Sequence, residues 1–255
     1  MPESILQLDK LVKGFDGHPV LKGISAVVNQ GDVVGLLGLN GAGKTTLLET
    51  ALGFAIPDTG SARLFGQQAS AIEDEHIKHR IGFVPQLDEL IETMKGGEFL
   101  GMIGKFYKTW NKDLVARLAR DWDVPLNKPA MKLSVGQRQK LSILAALGHE
   151  PELILLDEPV ASLDPLARRE FLQELIEMVS GGTRTIVFST HIVSDLERIA
   201  NRVWILKDGL LVVDEQLDSL KESSANLRAA GGGLAAGITI DPGMSLEEIF
   251  LELHK

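Results

Sequence analysis

An α/β fold built on a mainly parallel sheet is predicted by three features of the sequence. Continuous apolar runs at Val33–Leu37 and Leu153–Leu156 have the texture of strands buried on both faces. Segments with helical spacing of apolar residues alternate with such runs, as they do where crossover helices join parallel strands. A glycine-rich loop follows the first run and leads into a helical pattern.

Taken in order, Ile5 to Val12 and Val20 to Val28 read as short strands joined by the turn-like Phe15-Asp16-Gly17-His18-Pro19. After the Val33–Leu37 strand, Thr45 to Leu52 reads as a helix. Ser61 to Phe65 and Ile81 to Val84 read as strands. From Glu89 to about Pro129 the texture changes: Phe99, Ile103, Phe106 and Tyr107 recur at helical spacing, as do Leu114, Leu118 and Trp122. This is a helical insertion whose aromatics are expected to pack in a core. Ser134 to Gly148 is helical, with Leu141, Leu144, Ala145 and Gly148 on one face, and Pro151 ends it. Asp164-Pro165 opens a helix with an acidic N-cap and proline at the first position, and Phe171, Leu172, Leu175, Ile176 and Val179 share a face of it. Thr185 to Ser189 is a strand. Val203 to Leu206 and Leu210 to Val213 flank Lys207-Asp208-Gly209, a hairpin signal. Ala229 to Gly237 is rich in glycine and alanine and is expected to be flexible. Ser245 to His254 reads as a short amphipathic helix.

The length of 255 residues allows a large core. Apolar residues make up 44% and charged residues 24%, the balance of a globular chain rather than a disordered one. With no cysteine there is no disulfide framework and no thiolate chemistry. The net charge of −9, without a basic stripe, speaks against a nucleic-acid partner. The N-terminal residues do not read as a signal peptide, and no apolar run approaches the roughly 18 residues of a membrane span.

Gly38-Leu39-Asn40-Gly41-Ala42-Gly43-Lys44-Thr45 fits the phosphate-loop pattern G-x-x-x-x-G-K-[ST]. Glycines let the backbone turn its N–H groups toward phosphates, and the helix that follows adds its positive N-terminus. Lys44 is expected to reach the β- and γ-phosphates, and the Thr45 hydroxyl to reach Mg²⁺. Such a site needs a second acidic group at another strand end. Leu153-Ile154-Leu155-Leu156-Asp157-Glu158 supplies it: Asp157 for Mg²⁺, directly or through water, and Glu158 to polarise an attacking water.

With these motifs the chain resembles the ATP-binding subunits of ABC transporters over nearly its whole length. Phe15 stands where that family has an aromatic that stacks on adenine. Gln86, in Val84-Pro85-Gln86, is similar to the glutamine loop that senses Mg²⁺ and the membrane partner. Leu133-Ser134-Val135-Gly136-Gln137 resembles the signature sequence, with Val135 in place of the usual glycine. Ser162-Leu163-Asp164 matches the loop after the catalytic strand, and His191, in Ser189-Thr190-His191, the switch histidine. A β-branched residue at 135 disfavours positive φ, so the backbone there is expected to be an ordinary helix N-terminus.

The resemblance implies a P-loop ATPase core with a small antiparallel β subdomain and a helical insertion at about 87–150, all within 1–220, and a C-terminal extension at 221–255. It implies ATP and Mg²⁺ as ligands. Asn40, Gly41, Ala42, Gly43, Lys44, Thr45, Thr46 and Gln86 would lie on one side of each ATP, with Asp164 in the loop beyond the catalytic strand. Ser134, Gly136 and Gln137 of a second subunit, most simply a second copy, would lie on the other. Thr45, Gln86 and Asp157 would serve the metal, and Glu158, His191 and Lys44 would serve catalysis. An integral membrane permease is the implied partner, which places the chain on the cytoplasmic face of the membrane. Phe106-Tyr107-Lys108-Thr109-Trp110-Asn111, Ser189 to Glu197, and Ser245-Leu246-Glu247-Glu248-Ile249-Phe250 are similar to the subgroup serving drug, antibiotic-peptide and polysaccharide export. An iron–sulfur assembly ATPase of this family is the rival reading.

Overall fold

A computed structural model describes residues 4–71, 75–161, 163–179, 184–222 and 244–254. The Ala229 to Gly237 segment, and Ser162, lie outside the described residues. Among the described residues the strands form two sheets.

The first sheet is antiparallel. It contains β1 (Ser4–Phe15), β2 (His18–Asn29), β4 (Thr59–Leu64) and the two-residue β5 (Gln67–Gln68), in the order β2-β1-β4-β5. Asp16 and Gly17 form the β1–β2 turn, both with positive φ (50° and 79°), so the strands run further into the expected turn than the sequence predicted.

The second sheet has the order β10-β9-β3-β8-β7-β6. Its strands are β3 (Val33–Leu37), β6 (Ile81–Val84), β7 (Leu153–Leu156), β8 (Thr185–Thr190), β9 (Arg202–Lys207) and β10 (Leu210–Gln216). All neighbours are parallel except the β9–β10 hairpin. Burial on both faces explains the unbroken apolar runs. Val33, Leu37, Ile154, Leu156, Ile186 and Phe188 pack into one core. The intervening Val34, Leu36, Leu153, Leu155 and Val187 pack into the other. This is the two-residue alternation of strand side chains.

The first core holds the helical insertion: α3 (Gly96–Ile103), α4 (Lys112–Asp121) and α5 (Val135–Leu147). Phe99 and Trp122 are buried in it as expected, but Phe106 is 70% exposed. A short 3-10 turn over Gly104–Phe106 ends α3 and throws the ring outward. Tyr107 instead stacks on His149 at 3.9 Å, where α5 returns to the sheet. Leu141 and Leu144 are buried as expected, and Ile143, Ala146 and Leu147 are buried too, so the second half of α5 packs on more than one face while its polar first half, Gln137 to Lys140, does not.

The second core holds α1 (Lys44–Ala51) between the sheets. The short α2 (Glu75–Lys78) precedes β6. Beyond β7 come α6 (Pro165–Val179), α7 (Val193–Ile199), α8 (Leu217–Glu222) and α9 (Leu246–Leu253). Helix α7 crosses β3 closely: a Cβ on Gly35 would lie 2.3 Å from Leu196 Cγ, so no larger residue fits there. Helix α9 is amphipathic and packs Leu246, Ile249, Phe250 and Leu253 into the first core beside α7.

Candidate functional site

The strand register decides where the functional residues meet. Leu37 pairs with Thr190, Leu156 with Phe188, and Val84 with Leu156. The carboxyl ends of β3, β8, β7 and β6 are therefore nearly level. Gly38, His191, Asp157 and Gln86 all emerge at one edge, the crevice where α/β sheets bind ligands.

The loop after β3 turns through Gly41 (φ 82°) and Gly43 (φ 104°), which is the N-cap of α1. The φ of Gly43 favours glycine, and a Cβ there would also press on Val20 Cγ1 at 3.2 Å. The loop frames a cleft of about 380 Å³ lined by Val20, Asn40, Gly41, Gly43, Lys44, Thr45, Thr46, Gln86 and Glu158. Ala42 belongs to the loop, and its N–H donates to Leu39 O at 3.1 Å.

Lys44 is buried. Its Nζ donates to Gly38 O at 2.8 Å and lies 3.0 Å from Glu158 Oε1. That ion pair lacks hydrogen-bond alignment, which leaves the buried Oε1 without a hydrogen-bond donor. Glu158 has φ 48°, an uncommon conformation for a non-glycine residue, at the end of β7. Its other oxygen, Oε2, meets His191 Nδ1 at 2.8 Å. His191 is about half exposed, so the Lys44–Glu158–His191 row runs from the interior to solvent.

Beneath this row lies a second one. Asp157 is fully buried and accepts hydrogen bonds from Thr45 Oγ1 and Ser189 Oγ, both at 2.5 Å. Ser189 Oγ in turn accepts the Glu158 N–H at 2.8 Å. Ser189 thus fixes both acids, a role that reading the motifs alone missed. Its position two residues before His191 on a buried strand was the available signal.

Thr45 Oγ1 and the Asp157 carboxylate form an oxygen-only donor pair, with the Gln86 amide on the same cleft. That donor chemistry fits Mg²⁺, a hard cation that keeps waters and takes phosphate oxygens as ligands. Among the described residues no cluster of three or more His, Cys, Asp or Glu could cage a metal on its own.

Other predicted residues lie elsewhere. Phe15 ends β1, 49% exposed, with Lys13 Nζ 4.9 Å from the ring centre. Val20, just beyond the β1–β2 turn, does reach the cleft. Ser134 is the N-cap of α5, with φ −66°; Gln137 N–H donates to Ser134 Oγ at 3.2 Å, and Ser134 N–H donates to Gln137 Oε1 at 3.2 Å. Val135 is 65% exposed at the first helical position, in keeping with the ordinary helix start expected of it. Ser134, Gly136 and Gln137 are not among the residues lining the chain's own cleft. Asp164 caps α6, accepting the Leu166 and Ala167 N–H groups at 3.0 Å each. The Ala167 N–H, and then that of Leu166, holds its carboxyl below the usual aspartate value.

A parallel sheet with a glycine-rich phosphate loop between β3 and α1 is the fold of a P-loop NTPase. Residues 21–161 match the ABC transporter family model. An uncharacterized ABC transporter ATP-binding protein of Nostoc sp. is 38% identical over 83% of this chain, which spans 64% of that relative's length. A Nod factor export ATP-binding protein I of Paraburkholderia xenovorans is 32% identical over 84% of this chain and 71% of its own length. A solved ATP-binding subunit of an ABC transporter superposes with a TM-score of 0.76 at 29% identity, covering 85% of this chain and 92% of that one. The chain belongs to the ABC transporter family as one of its ATPase cassettes. Among the described residues no helix is long and apolar enough to cross a membrane.

Proposed function

We propose that the chain hydrolyses MgATP as a head-to-tail pair and couples closure of that pair to export by a separate membrane protein. The observation that carries this reading is Glu158, buried between Lys44 and His191 in the wall of the phosphate-loop cleft. In this reading residues 1–220 are the ATPase unit, with the helical insertion at 87–150, and residues 221–255 are an extension. Asn40 to Thr46 bind the phosphates, and the triphosphate draws Lys44 away from Glu158 to the β- and γ-oxygens. Thr45, Asp157 and Gln86 hold Mg²⁺. Bound there, the cation offsets charge on the phosphates. Freed of Lys44, Glu158 accepts the proton of the attacking water, and His191 positions that water and the γ-phosphate. Phe15 offers a stacking face to adenine, and Asp164 sits at the subunit junction.

Ser134, Gly136 and Gln137 are not part of their own cleft's lining, and they stand at a helix N-terminus where Ser134 is exposed. Two copies in antiparallel register place each such end over the other's γ-phosphate. The membrane partner docks beside Gln86, where the adjacent Leu87 is 81% exposed. That partner holds the chain at the cytoplasmic face of the membrane. The export-type relative supports the direction of transport.

The test is Glu158→Gln, which keeps size but removes the carboxylate's charge and basicity. It is expected to bind MgATP normally, lose about 10²–10⁴-fold in hydrolysis, and accumulate as a dimer in light scattering. Wild-type turnover in that variant would overturn the catalytic assignment.

A further inference from the structure

The segment that leaves the cleft at Gln86 is tied to the segment that ends at Ser134. The Met131 N–H donates to Glu92 O at 2.9 Å, the Ala130 N–H to Met94 O at 3.0 Å, and the Gly96 N–H to Lys128 O at 3.1 Å. Lys95 and Pro129 form an antiparallel bridge between the same segments. The end of this zipper nearest the cleft is closed by one side chain, Arg138, on the first turn of α5.

Arg138 grips Asp88 with both arms of its guanidinium: Nε donates to Oδ2 at 2.9 Å and Nη2 to Oδ1 at 2.7 Å. Nη2 also donates to Glu92 Oε1 at 2.9 Å, and Nη1 to Ala130 O at 3.4 Å. The two main partners are 18% and 16% exposed, so solvent screens the pair less than it screens an ordinary surface bridge. The planar fork fixes orientation as well as distance, which a lysine at the same place would not do. On its own backbone the Arg138 N–H donates to Ser134 O at 2.9 Å. On the other side only Leu87, 81% exposed, separates Asp88 from Gln86.

These contacts form a short, stiff route from the Gln86 loop to the α5 N-terminus. We infer that Arg138 is a positioning residue that makes the orientation of Ser134 and Gly136 depend on the state of Gln86 in the same chain. Because Ser134 serves the partner's ATP in the reading above, on which this inference rests, occupancy of one cleft then prepares the other. The Arg138–Asp88 fork is the source of cooperativity between the two ATP sites, and it contributes nothing to nucleotide affinity in a single chain.

The experiment compares wild type with Arg138→Lys, Asp88→Asn and the double variant. Affinity of the monomer for a fluorescent ATP analogue is measured first, with thermal melting as a check on folding. The dependence of ATPase rate on ATP, and MgATP-driven dimerisation in a Glu158→Gln background, are measured next. Each single variant is expected to keep monomer affinity within about twofold. Each is expected to lower the Hill coefficient toward about 1 and to need about tenfold more protein to dimerise. The double variant should be no worse than either single one, because both break the same tie. A folded Arg138→Lys protein with wild-type Hill coefficient and dimerisation overturns this inference alone, as does additive loss in the double variant. Failure of Glu158→Gln alone to dimerise overturns the head-to-tail reading, and this inference with it.

Discussion

The two ends of the molecule that carry polar function are built in opposite ways. At the carboxyl edge of the sheet, Asp157, Glu158, Lys44, Thr45 and Ser189 are partnered with one another across segments far apart in sequence. At the start of α5, the exposed Ser134 and the half-buried Gln137 bond each other through a capping box, and Gln137 Nε2 also donates to Asp123 O at 3.3 Å. The first region is complete within one chain, and its polar groups hold the core together. The second costs the fold little and offers its groups outward. A residue at the sheet edge therefore mixes stability with chemistry, whereas at the α5 end the two separate.

Breaking the first region should have the largest effect. Asp157→Ala strands the buried Ser189 hydroxyl and leaves the half-buried Thr45 hydroxyl in the cleft without its partner, each bonded to Asp157 at 2.5 Å, in addition to weakening the proposed Mg²⁺ site. A loss of roughly 2–4 kcal/mol of stability is expected in chemical denaturation, together with loss of Mg²⁺-dependent ATP affinity. A variant as stable as wild type would mean that these hydroxyls find other partners.

The joint between the regions is sensitive to acid. His149 ends the α5 segment, stacked on Tyr107, with Nε2 3.0 Å from Ile81 O. Burial, outweighing the bond to Ile81 O, pushes its pKa down to about 4. The unfolded imidazole takes a proton near pH 6.5 but the folded one does not, so stability is intact at pH 7 and falls as pH drops from about 6.5 toward 4. At pH 5 this linkage should cost the wild type about 2 kcal/mol more than His149→Phe. Parallel melting curves for the two proteins between pH 7 and 5 would refute it.

The smallest stability effect is expected at the other end. Ser134→Ala removes one N-cap and should cost about 1 kcal/mol, with monomer ATP affinity unchanged. Dimerisation with MgATP in the Glu158→Gln background should nevertheless be lost. Equal dimerisation with and without the Ser134 hydroxyl would erase the contrast between the regions.

Much of the sheet edge was legible in advance, because its constraints are local. A phosphate loop needs glycines at φ 82° and 104°, and a strand buried on both faces has to be apolar throughout. Paired acids after Leu153–Leu156 stand out for the same reason. Phe106 misled because helical spacing does not say where a helix stops, and α3 stops at Ile103. Arg138 was invisible as a site residue because an arginine on a helix has many ordinary uses, and Ser189 carried only the weak signal of its place two residues before His191 on a buried strand.

The sequence by itself determined the class of fold, the phosphate loop, the two strand-end acids and the amphipathic α9, since each follows from the pattern of neighbouring residues. Only the tertiary structure decided that Glu158 bridges Lys44 and His191, that Ser189 fixes both acids, and that Arg138 ties the Gln86 loop to Ser134. Those pairings span from 31 to 114 residues of chain for Ser189–Glu158 and Lys44–Glu158, and 50 for Arg138–Asp88. They are set by strand register and by packing of the insertion, which depend on the whole core closing at once.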